Sequence, residues 1–105
     1  MKIEDIWIES EQWAEGELDA FDDNTDVIVT FEDGSRSVAT FYTYKNITTL
    51  TEKNRKTGEC LNGSYLWASD MILIDEICRE KIERVIDDLV SNGEFGKAFS
   101  RCSEE

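Results

Sequence analysis

Twenty-four aspartates and glutamates are the groups best able to do chemistry in this chain of 105 residues, and they face only eleven lysines and arginines. Two converging carboxylates could act as general acid and base, but spacing along a sequence does not show convergence. The chain has no histidine, so the commonest general base near neutral pH is missing. Cys60, Cys78 and Cys102 therefore have no imidazole to activate a thiolate, and no two of them form a CxxC pair. A structural zinc site would need Asp or Glu to complete its ligands, an uncommon set. No glycine-rich phosphate loop and no GxSxG elbow is present. The reading is of a protein that is not an enzyme, with no cofactor and no metal, whose cysteines are reduced thiols.

Two further patterns need weighing. Asp22, Asn24 and Asp26 alternate like the oxygen ligands of a calcium loop, and Asp33 falls at the twelfth position of that register. Such a loop requires glycine at its sixth position and glutamate at its twelfth. Here the sixth is Val27, so a solvated turn before a strand is the better reading. Lys53, Arg55 and Lys56 are too few for a nucleic-acid surface and fit a solvated helix end.

The charge is unevenly spread. Residues 1–33 hold twelve acids against one base, a net of −11; residues 34–66 hold two acids against five bases, a net of +3. Residues 67–105 hold ten acids against five bases, a net of −5, within a total of −13. Acidity of this order repels nucleic acids and anionic membranes and favours rapid association with a basic protein surface. No apolar run approaches the ~18 residues of a membrane span. The opening Met1-Lys2-Ile3-Glu4-Asp5 is unlike a secretory signal, and a cytoplasmic location is expected.

The elements that must position these groups follow from pattern. Residues 1–8 read as a strand and 9–26 as an acidic loop pinned by Trp13, Leu18 and Phe21. Residues 27–44 read as a hairpin, because alternating β-branched runs flank Asp33-Gly34, a strong turn signal; a bulge is expected on its second strand. A helix is expected over 46–57, with Asn46 as N-cap and Gly58 as stop, and two short strands over 65–74. Ile77, Ile82, Val85, Ile86, Leu89 and Val90 make one helical stripe, so a helix over 76–91, capped by Asp75 and ended by Asn92-Gly93, should pack on the sheet. Residues 94–105 read as a turn held by Phe95 and Phe99, then a fraying tail. The sum is one α+β domain: a small, mainly antiparallel sheet of four to five strands with two to three helices.

The runs Asp26–Ser35, Thr40–Ile47, Thr57-Gly58-Glu59 and Tyr65–Ile72 look like those of small single-domain bacterial proteins. In general character the chain resembles the immunity proteins of polymorphic toxin systems, which are short, acidic and independent of histidine. That resemblance implies inhibition of a cognate toxin, often a basic nuclease, by masking its surface. It assigns no site residue. From the charge pattern, the expected partner-binding set is Trp13, Glu15, Glu17, Asp19, Phe21, Asp22 and Asp23, acids supplying the field and aromatics the anchors. A phage-type anti-defence protein or DNA mimic would use the same electrostatics. A structural or oligomerising subunit is the third reading, and the sequence leaves the oligomeric state open.

Overall fold

The computed structural model describes residues 2–102. Strands β1 (Ile3–Ile8), β2 (Asn24–Phe31) and β3 (Arg36–Thr43) form an antiparallel meander. The other side of β3 is shared by β4 (Met71–Ile74), parallel along Thr40–Thr43, and β5 (Ser100–Arg101), antiparallel along Ser37 and Val38. Parallel neighbours need a long crossover, and here α1 (Tyr44–Thr57) and α2 (Glu59–Gly63) supply it. Helices α3 (Arg79–Ser91) and α4 (Phe95–Ala98) follow β4. The fold is α+β, with a five-stranded sheet that is antiparallel except at β3–β4.

Alternation decides which side chains make the core. Val27 and Val29 of β2 and Ala39 and Phe41 of β3 are buried with Ile8 and Ile74, and the same cluster takes in Ile77, Ile82, Ile86 and Phe99. The hairpin turns where expected: Gly34, at φ +87, donates to the Phe31 carbonyl at 2.9 Å, and the Phe31 amide donates to the Ser35 carbonyl at 2.9 Å. Positive φ is open to glycine without steric cost. The β2–β3 register is unbroken. The bulge lies in β1 instead, where Glu4 falls between the Ile3–Phe31 and Asp5–Thr30 pairs.

Several boundaries move. Tyr44 opens α1 instead of ending a strand, because the Thr43 hydroxyl, not Asn46, caps the helix by accepting from the Asn46 amide at 3.1 Å. Gly58 does end α1, at φ 87. Of residues 65–74 only Met71–Ile74 is a strand. Helix α3 begins at Arg79, not at 76, because Ile77 is held in the core with its amide on the Ala20 carbonyl at 2.8 Å, and Cys78 is the N-cap. Asp75 pairs with Lys81 instead, at 2.9 Å. Val90, at one end of the expected stripe, is exposed. Ser100 and Arg101 pair with β3 rather than fray; the expectation for Ser103–Glu105 lies outside the described residues.

No sequence signal announced α2. Cys60, Leu61 and Asn62 all lie in the left-handed region, at φ 51, 51 and 58. Each such non-glycine residue costs roughly 1–2 kcal/mol. The turn is pressed against α1 at Gly63, where an added Cβ would stand 2.5 Å from the Thr51 carbonyl oxygen and 2.8 Å from Arg55 Cγ. Glycine is required there on both counts.

Candidate protein-binding surface

The acidic loop between β1 and β2 is tied down along its length. It begins as a 3-10 turn over Glu9–Gln12, where the Ser10 amide donates to Thr25 Oγ1 at 2.9 Å and Glu9 Oε1 accepts from the Asp26 amide at 3.1 Å. Glu11 is gripped by Arg79 through two parallel bonds, Nε to Oε2 and Nη2 to Oε1, each 2.8 Å. Arg79 also donates to Glu83 Oε2 at 2.9 Å and to the Ile6 carbonyl at 2.8 Å. A planar guanidinium suits this fork-like geometry. Its hydrogen bonds hold the Glu11 carboxyl below its usual range, and the arginine rises in turn, first because of Glu11 and then Glu83.

The far end of the loop is welded to α1. Asn46 Nδ2 donates to Asp22 Oδ1 at 3.0 Å, and Thr49 Oγ1 donates to Asp22 Oδ2 at 2.8 Å. Asn24 Nδ2 completes the knot by donating to Asn46 Oδ1 at 2.9 Å. A carboxylate beside the first turns of a helix also meets the positive end of its dipole. The bonds from Asn46 and then Thr49 lower the Asp22 pKa. The Asp23 carboxylate accepts from the Asp19 and Asn24 amides, at 3.2 and 3.0 Å; the Asp23 amide donates to Thr43 Oγ1 at 3.2 Å, and its carbonyl accepts from the Thr43 amide at 3.1 Å.

These contacts divide the seven predicted partner-binding residues. Asp22 and Asp23 are half-buried and hydrogen-bonded to neighbouring elements of the fold. Trp13 is half-buried. Glu15, Glu17 and Asp19 are exposed; Glu17 accepts only from the nearby Ala14 amide and Asp19 from the Phe21 amide. Phe21 is 56% exposed. The loop thus presents three carboxylates and one phenyl ring on a backbone fixed at both ends. The calcium-like spacing dissolves in the same geometry: Asn24 and Asp26 lie in β2, Asp22 turns to α1, and Asp26 accepts from Thr40 Oγ1 at 2.7 Å.

The chain matches no protein-family model, no curated protein and no solved structure.

A second surface escaped the charge reading. Among the described residues, four of the eight exposed large hydrophobic side chains, Tyr44, Leu61, Tyr65 and Trp67, fall within residues 44–67, and Leu61 and Trp67 are 73% and 75% exposed. No residue of that stretch belongs to the core cluster or packs against it. Its cations Lys45, Lys53, Arg55 and Lys56 are exposed, and the ion pairs among the described residues involve only Arg79 and Lys81. The aromatic run Tyr42, Tyr44, Tyr65, Trp67 was the available signal; alternation alone could not say which rings face water. Among the described residues no three Asp, Glu or Cys side chains gather as a metal site would require, and no helix is long and apolar enough to cross a membrane.

Proposed function

We propose that this protein is a cytoplasmic inhibitor that binds a basic surface of another protein through the loop of residues 9–23, in the manner of a toxin-neutralising immunity protein. The observation that carries the reading is that Phe21 and the carboxylates of Glu15, Glu17 and Asp19 are all exposed on one short loop held at both ends. An aromatic anchor within a charged rim is the usual arrangement of an interface hot spot. A loop already ordered before binding avoids much of the entropy loss on association. The surrounding −11 of residues 1–33 accelerates encounter with a positively charged partner and repels nucleic acid.

The test is to place a photo-crosslinking phenylalanine analogue at Phe21 in cells of the source organism and identify the adduct. A basic protein whose activity the purified chain inhibits supports the reading. Replacing Glu15, Glu17 and Asp19 by their amides should then slow association about tenfold at low salt, with little change at high salt. An on-rate independent of both salt and the triple substitution would refute it. Adducts with a DNA-binding enzyme that duplex DNA displaces would favour the DNA-mimic reading.

A further inference from the structure

The inner face of the sheet is not closed at the hairpin end. Between the turn after β2, helix α4 and strand β5 lies a pocket of about 260 Å³, distinct from the acidic loop and from residues 44–67. Its walls are phenyl rings: Phe95 stacks on Phe99 with centroids 4.4 Å apart and meets Phe31 edge-on at 5.4 Å. Gly96 lies in the same wall, and a Cβ added there would meet nothing within 4 Å.

Two polar groups converge on this apolar space. Ser37 lines it from β3, is only 8% exposed, and its hydroxyl has no hydrogen-bond partner among the described residues. No side-chain polar atom among those residues is sealed from solvent without a partner, so the Ser37 hydroxyl retains access to solvent. A hydroxyl left this way is free to donate to a ligand. Arg101, from β5, lines the same pocket and makes no ion pair among the described residues. The bonds from Ser35, and after them the Arg101 charge, lower the Asp33 pKa; its carboxylate accepts from the Ser35 hydroxyl at 2.7 Å and amide at 2.9 Å. Ser35 also lines the pocket, with its hydroxyl committed to Asp33.

We infer that this pocket binds a small carboxylate with a single aromatic ring or a branched aliphatic body. The apolar body lies against Phe31, Phe95 and Phe99, the carboxylate pairs with the Arg101 guanidinium, and the Ser37 hydroxyl donates to a carboxylate oxygen. The volume lies below the ~300–1,000 Å³ of drug-sized sites, which limits the body to one ring. The inference does not rest on the proposed role of the acidic loop.

Phenylacetate is a suitable probe, titrated into the full chain while amide shifts are followed by NMR. Saturable shifts are expected at Ser37, Phe95, Gly96 and Arg101, with a Kd of roughly 0.1–1 mM for so small a ligand. The substitution Gly96→Leu should fill the pocket and weaken binding at least tenfold. Its melting temperature should be equal or higher, since a helical glycine is replaced where space is open. Arg101→Gln should weaken phenylacetate about tenfold and leave phenylacetamide unchanged, a split that a packing role would not produce. Absence of saturable shifts, shifts that persist in Gly96→Leu, or equal binding of acid and amide would each overturn the assignment.

Discussion

The two excursions that leave the sheet, residues 9–23 and residues 44–67, are held by different means. The acidic loop sends Leu18 against the core and is bonded to β3, α1, α3 and the segment before α3 through Asp23, Asp22, Glu11 and Ala20. The helical excursion adds no side chain to the core cluster; beyond the bonds of Asn46 and Thr49 to the acidic loop, it depends on contacts within itself, above all Gly63 against Thr51. Order in the first is therefore coupled to the whole domain, whereas the second can open while the sheet stays folded. A loop rich in like charge would otherwise extend by self-repulsion, so its fixed shape comes from the bonds that neighbouring elements supply.

The largest effect that sharpens this comparison comes from the shared core. Phe41→Ala should cost about 3–5 kcal/mol and release the acidic loop and the sheet in one urea transition. Gly63→Ala should cost less, about 1–3 kcal/mol, because the new Cβ overpacks Thr51 and Arg55 and sits at φ +77. Hydrogen exchange should show protection lost across residues 44–63 and kept in β2 and β3. Equal loss in the sheet would break the distinction between the two excursions.

Smaller effects concern the loop's fastenings. Glu11→Gln removes the charge from a pair whose side chains are about 40% exposed, so it should cost no more than about 1 kcal/mol. The folded-state pKa of Glu11 is depressed by Arg79. Its contribution is thus complete above the unfolded carboxylate value and is lost as pH falls through the lowered folded one. A stability–pH profile of the variant should lack that acid-side decline relative to the unaltered chain.

Asp22→Ala should act locally, with faster exchange of the Phe21 and Asp23 amides and little change in the melting transition. In the unaltered chain the same loosening should develop as pH drops through the lowered Asp22 pKa. Smallest of all, replacing Lys53, Arg55 and Lys56 with Gln should shift stability by no more than about 0.5 kcal/mol, since none of them is ion-paired among the described residues. A larger loss in chemical denaturation would show that these cations hold α1.

The hairpin about Asp33-Gly34, the strand before the loop and the helix ended by Asn92-Gly93 were legible because their signals are local: alternation, a 3.6-residue stripe, turn chemistry. The start of α3 was misplaced because Ile77 obeys a distant bond to Ala20 rather than its own neighbours. The loop was recognised as acidic and aromatic, but the division of its carboxylates was not visible. Asp22 and Glu15 are both acids of the same loop in sequence; Asn46 and Thr49, more than twenty positions away, bond to only one of them.

What the sequence by itself determined is the α+β class, the lack of histidine and the placement of −11 of the charge in the first third of the chain. Tertiary structure alone decided that β4 runs parallel to β3, that residues 60–62 wind left-handed, and that Arg79 and Asn46 hold the acidic loop in one shape. The physical reason is range. Propensity and periodicity act over a turn or a strand, whereas strand pairing, the Arg79–Glu11 clamp and the Asn46–Asp22 knot form only after distant parts of the chain meet.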